Sequence, residues 1–196
     1  MKIADKFTLS RIILAPIFFC LYFLPKITGF SESLSVYLMI PLLAFAEFTD
    51  FLDGYFARKN NEVSDFGKLF DPFADVLLHL TTFFCFVVAG YMPAIVFVLI
   101  LYREFAMNFV RLIAAKKGVA IGARKGGKLK TVLYVVTGFF YLSVESCIRL
   151  GFNIDSLLPV CNIIGIVFSC ICCVLSYISF GDYLVHFGNL LKGEKK

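Results

Sequence analysis

Histidine is almost missing from this chain: there are two in 196 residues, and none of the seven cysteines is spaced with either of them as zinc ligands are. That excludes the usual kind of zinc site. Charge is scarce as well, since Asp, Glu, Lys and Arg make up 17% of the residues against 60% hydrophobic ones. So little polar material cannot coat a water-soluble globule, which excludes a soluble enzyme or binding module. Internal repeats, low-complexity tracts and polar linkers are lacking too, so residues 1–196 read as a single domain.

What is present is apolar sequence in helix-length stretches. With 24 phenylalanines and a mean hydropathy of +0.86, the chain is an integral membrane protein. A helix needs about 20 residues to cross the hydrocarbon core. Spans are predicted near residues 8–24, 34–57, 69–90, 92–115, 129–149 and 157–181. Breakers and polar clusters fall between them, from Pro25 to Ser33, Lys59 to Gly67, Gly90 to Pro93, Lys116 to Lys128 and Gly151 to Ser156. The expected fold is all-α, with six transmembrane helices and a short N-terminal segment, Met1 to Phe7, at the interface. Lys2, Lys6 and Arg11 precede or open the first apolar stretch as in a signal peptide, but Pro25 and Lys26 follow it without a small-residue cleavage site, so it reads as a span. Cys20, Cys85, Cys147, Cys161, Cys170, Cys172 and Cys173 all lie in apolar segments and read as small packing residues.

Basic residues predict the orientation. With a cytoplasmic N-terminus, one side collects Lys2, Lys6, Arg11, Arg58, Lys59, Lys68, Lys116, Lys117, Arg124, Lys125, Lys128, Lys130, Lys192, Lys195 and Lys196, and the other only Lys26 and Arg149. The positive-inside rule then places both termini in the cytoplasm. The basic face suits anionic lipid headgroups, and nothing in it points to nucleic acid as a partner.

Against this background Asp50, Asp53, Asp71 and Asp75 need a reason to exist, because a charge at bilayer depth costs about 2.5–3.5 kcal/mol. Asp50 and Asp53 are spaced i, i+3 and Asp71 and Asp75 i, i+4, so each pair projects from one helical face. At about 1.5 Å per residue, Asp50 lies some 12 Å inside Arg58 and Asp75 about as far inside Gly67, so the pairs can meet at similar depth. Four carboxylates brought together cannot all stay ionised unless cations neutralise them. Hard oxygen ligands suit Mg²⁺, Mn²⁺ or Ca²⁺. Gly54, Ala57 and Gly67 leave room for a bulky nucleotide, and the planar fork of Arg58 can take a diphosphate. Metals, an arginine and a groove open to the cytoplasm describe a site for displacing a phosphoryl-linked leaving group. Acids that merely paired with Arg58, Lys59 and Lys68 would not need the small residues, and an ion-coupled carrier would need neither those residues nor the arginine.

The whole pattern, Asp50-x-x-Asp53-Gly54-x-x-Ala57-Arg58, eight residues, then Gly67-x-x-x-Asp71-x-x-x-Asp75, resembles the signature of the CDP-alcohol phosphotransferases, with all eight positions filled. The resemblance implies a six-helix membrane enzyme, commonly dimeric, in which an alcohol attacks the β-phosphorus of a CDP-linked lipid and CMP leaves. It implies two ions, Mg²⁺ or Mn²⁺, held by Asp50, Asp53, Asp71 and Asp75, with Asp75 also the general base. It also implies a CDP pocket formed by Asp50, Asp53, Gly54, Ala57, Arg58 and Gly67.

A second region bears on the acceptor. Glu104, Asn108 and Arg111 fall on one stripe of span four, and Lys128 and Lys130 open span five beside Arg124 and Lys125. Arg103-Glu104, Arg111, the run Gly127-Lys128-Leu129-Lys130-Thr131 and the opening Thr8-Leu9-Ser10-Arg11 resemble the branch of the family that uses CDP-diacylglycerol and sn-glycerol 3-phosphate. Asp5 departs from that branch, which has an Asn there. The resemblance implies acceptor-phosphate contacts from Arg103, Arg111, Lys128 and Lys130, while inositol phosphate, serine or phosphatidylglycerol are the alternative acceptors within the family. His79 reads as a packed neutral histidine and Glu145 as structural. Glu47, one turn before Asp50, is open to either a supporting role at the site or an interhelical contact. Residues after about Leu150 carry no motif.

Overall fold

The computed structural model describes residues 3–59, 65–119 and 125–191. Six helices follow one another: α1 (Ile3–Thr28), α2 (Glu32–Lys59), α3 (Asp65–Val88), α4 (Ala94–Lys116), α5 (Lys125–Arg149) and α6 (Leu158–Leu191). No strand occurs among the described residues. Five helices, all but α4, are long and apolar enough to cross a membrane. The fourth, with 23 residues, has the length, but Arg103, Glu104 and Arg111 interrupt its apolar sequence. Every expected span lies largely within a helix. Residues 3–7, read as an interfacial segment, form the first turn of α1. The 34 residues of α6 reach ten positions past the predicted end of the sixth span. At 1.5 Å per residue that is roughly 50 Å, more than the hydrocarbon core needs, so its last turns stand clear of it.

Helix ends follow local chemistry. Gly90 adopts φ 86° after α3, a left-handed conformation that costs glycine nothing. The Tyr91 amide then returns to the Phe86 carbonyl at 3.0 Å and the Gly90 amide to that of Val87 at 3.0 Å, satisfying the last carbonyls of the helix. Pro93, extended at φ −63° and ψ 128°, starts α4. The turn is short, so α3 and α4 run antiparallel.

Helix α1 packs on α2 and α3, α4 and α5 each pack on α6, and α3 bridges the two groups by touching α4 and α5. Phe18, Tyr22, Met39, Phe83, Phe86, Ile100 and Tyr141 fill the middle. Ile13, Phe45, Ile95, Phe105, Phe109, Ile163 and Ile178 point outward, as expected where lipid is the solvent. Helices α5 and α6 meet closely at Gly165, where a Cβ would sit 2.4 Å from the Tyr141 ring.

At the end of the bundle away from the aspartates, Arg149 is only 7% exposed. Its guanidinium donates to Glu145 Oε1 at 2.8 Å, Ser35 Oγ at 2.9 Å and the Tyr22 carbonyl at 2.9 Å. Tyr91 donates to the other Glu145 oxygen at 2.6 Å. Burial, and then this bond, raise the Tyr91 hydroxyl above its usual pKa, so it stays a donor. Glu145 is structural, as expected. Arg149 is a buried tie between α1, α2 and α5, where the sequence suggested only a charge on the outer surface.

Candidate functional site

Asp50 on α2 and Asp71 and Asp75 on α3 come together, and the group that joins them is Arg11 on α1. Its Nη1 donates to Asp50 Oδ1 at 2.5 Å and also to Asp75 Oδ1, while its Nη2 donates to Asp71 Oδ1 at 2.5 Å. Thr8, one turn earlier on the same face, donates to Asp71 Oδ1 at 2.7 Å. The Arg11 side chain is 1% exposed, whereas those of Asp50, Asp71 and Asp75 are 37%, 37% and 28% exposed. Arginine therefore forms the floor and the carboxylates the open side. Pro72 sits between the two α3 aspartates, the eighth residue of its helix, and frees the Lys68 carbonyl from the backbone ladder.

Asp53, Gly54, Ala57 and Arg58 lie on the last turns of α2 and Gly67 on the first turn of α3, so the helical backbone places the whole motif on two consecutive elements. Their side chains fall outside the described part of the structure, as does Arg124. No three His, Cys, Asp or Glu groups among the described residues stand at metal-ligand spacing. The point shared by the three described aspartates is instead the guanidinium. Three carboxylates drawn to one centre of positive charge, each with about four lone-pair sites, nevertheless form the hard oxygen set that a divalent cation of the magnesium type takes.

Beyond the aspartates, His79 brings α3 against a second polar group in the other half of the bundle. His79, one turn past Asp75, is 7% exposed and packs edge-on against Tyr134, with ring centroids 5.6 Å apart. Its Nε2 lies 3.3 Å from Glu47 Oε1 but without hydrogen-bond alignment, so Glu47 makes an interhelical contact. Tyr134 donates to Glu104 Oε1 at 2.9 Å, and the same oxygen accepts from Lys130 at 2.7 Å and from Arg103 Nη1 at 2.9 Å. Arg103 Nε is occupied by the Ser176 carbonyl at 2.7 Å.

The four cations predicted to meet the acceptor phosphate are thus unlike one another. Arg103 and Lys130 share a buried carboxylate. Arg111 bonds the Tyr183 side chain, and its Nε is buried without a hydrogen-bond partner. Lys128 is exposed on the first turns of α5. In the sequence Arg11 reads as a topology charge and part of the opening motif, and Tyr134, Ser176 and Tyr183 carry no mark of their contacts. For Arg11 and Thr8 the i, i+3 spacing was the available signal. For Ser176, which acts through its carbonyl, the sequence holds none.

Residues 1–178 match the family described as CDP-alcohol phosphatidyltransferase. The chain is 35% identical over 198 residues to CDP-diacylglycerol--glycerol-3-phosphate 3-phosphatidyltransferase of Treponema pallidum, covering 98% of this chain and 92% of that protein. The protein of the same name in Bacillus subtilis is 36% identical over 141 residues, 69% of this chain and 73% of its own length. A probable phosphatidylglycerophosphate synthase of Mycobacterium tuberculosis is 35% identical over 145 residues, 74% of this chain and 68% of that protein. With the family match spanning nearly the whole helical bundle, this chain belongs to the CDP-alcohol phosphatidyltransferase family.

Proposed function

We propose that the protein transfers the phosphatidyl group of CDP-diacylglycerol to sn-glycerol 3-phosphate, forming phosphatidylglycerophosphate and releasing CMP. The observation that carries this reading is the convergence of the partly exposed Asp50, Asp71 and Asp75, with His79, one turn beyond Asp75, packed against the Tyr134 that bonds Glu104 beside Lys130 and Arg103. The names of the relatives supply the acceptor.

In this reading the acyl chains stay in lipid while CDP lies against the ends of α2 and α3, where Gly54, Ala57 and Gly67 give room and Arg58 takes the diphosphate. Asp75 accepts the proton of the acceptor hydroxyl, which requires approach to about 2.6–3.2 Å. The acceptor oxygen bonds to the β-phosphorus as the bond from that phosphorus to the CMP oxygen breaks. Two ions, Mg²⁺ or Mn²⁺, held by Asp50, Asp53, Asp71 and Asp75, would neutralise charge on the diphosphate. Lys128 and Arg111 hold the acceptor's phosphate, while Lys130 and Arg103, anchored by Glu104, support them with long-range positive charge. The enzyme sits in the bacterial cytoplasmic membrane as a homodimer, its site and both termini facing the cytoplasm. The basic asymmetry supports that orientation, and burial of Arg149 leaves Lys26 as the exposed cation of the opposite end among the described residues.

The test is CMP release by the purified protein with CDP-diacylglycerol and Mg²⁺ or Mn²⁺, offering glycerol 3-phosphate, inositol 3-phosphate, inositol, serine or phosphatidylglycerol. Release that depends on glycerol 3-phosphate is expected. Release with another alcohol alone would keep the aspartate chemistry and reassign the basic cluster. No release with any of them would overturn the reading.

A further inference from the structure

The metal-binding aspartates come from α2 and α3, but the group that gathers them comes from α1. We propose that Arg11, assisted by Thr8, is a built-in counter-cation that assembles the aspartate cluster before any metal is bound. It is a positioning residue that holds the metal-free site together, and it rests on the metal-dependent reading above.

Three observations carry this. One guanidinium contacts Asp50, Asp71 and Asp75, so a single side chain fixes the relative placement of two helices at the site. It does so from the buried side, with its own side chain 1% exposed, leaving the carboxylates partly exposed. Thr8 adds a second donor to Asp71 from the same face of α1. Like charges this close repel, and metal-free protein would have to splay α2 from α3 or take up protons. A fixed guanidinium removes that choice. It is permanently charged and its planar fork can serve several carboxylates at once. Two divalent cations then need to neutralise three net charges from four aspartates and one arginine. That leaves one positive charge to face the diphosphate.

A residue important only for packing would destabilise metal-free and metal-loaded protein alike. A counter-cation matters most when no metal is bound. The experiment is thermal unfolding of purified wild type, Arg11→Ala, Arg11→Lys and Arg11→Ala/Asp71→Asn in detergent, with and without Mn²⁺, together with Mn²⁺ binding followed by the loss of free-ion spin resonance signal. Metal-free Arg11→Ala should melt lower than wild type by on the order of 5 °C. Its Mn²⁺-induced rise should be about twice the wild-type rise. Arg11→Lys should recover most of the difference, and Asp71→Asn should recover the metal-free midpoint of the alanine variant by removing one negative charge. Equal loss with and without Mn²⁺, or no recovery in the double variant, would overturn the proposal. If wild type itself neither binds Mn²⁺ nor shifts, the metal-dependent reading fails and the proposal with it. If Arg11→Ala does not fold, the lysine and double variants decide the matter on the same criteria.

Discussion

Asp75 and Lys128 mark two kinds of contribution a residue makes here. The Asp75 side chain is 28% exposed and one turn from His79, and in the proposed reaction it takes the proton as the acceptor attacks. Asp75→Asn keeps the volume and loses the base, so CMP release should fall by at least about 100-fold, the lower range for a general base. CDP-diacylglycerol binding, measured by ligand-dependent thermal shift, should persist. Lys128 is exposed on α5, and in the proposed reaction it contacts only the acceptor. Lys128→Ala should raise the Michaelis constant for glycerol 3-phosphate by roughly tenfold, about one charge-assisted hydrogen bond, with little change for the lipid substrate. An unchanged acceptor constant would remove the contact. Glu104 is a third case. Its 3% exposed side chain accepts from two cations and a tyrosine, so its work is to hold them in apolar surroundings.

The helices act through their contacts more than through their individual hydrophobicity. Three charged residues interrupt the apolar sequence of α4, yet Arg103 and Glu104 are buried at 3% and 2% exposure against α5 and α6. In a bilayer a polar helix face survives when a neighbour satisfies it. Close approach of α5 and α6 is needed to bring Lys130 and Ser176 to that face. Gly165→Ala would place a methyl within 2.4 Å of the Tyr141 ring. Overpacking of this sort costs about 1–3 kcal/mol. The unfolding midpoint in detergent should fall by several degrees, and Gly165→Leu should fall further. If the alanine variant melts with wild type, α5 and α6 do not meet as described.

For the molecule as a whole, the two ends of the bundle divide the labour. The Arg149–Glu145–Tyr91 tie closes one end, while the aspartates and exposed lysines occupy the other. If the basic end is cytoplasmic, Ser156→Cys, in the exposed turn before α6, should react with a membrane-impermeant maleimide in intact cells. Lys116→Cys, exposed at the end of α4, should react only after the cells are opened. The reverse pattern would invert the orientation.

The sequence by itself determined the class and the chemistry. Apolar stretches of span length specify helices because lipid offers no partner for backbone groups, and the i, i+3 and i, i+4 aspartates specify a common face because the helical period is fixed. The eight-position motif reached the family by its resemblance to a known signature. Tertiary structure alone decided which cation meets which acid, because pairing depends on how helices far apart in the chain are placed. Arg11 lies 39 residues from Asp50 and 64 from Asp75, Arg103 lies 73 from Ser176, and Arg149 lies 127 from Tyr22. No local periodicity spans such separations, and a charge buried by a neighbouring helix reads in sequence like one facing water.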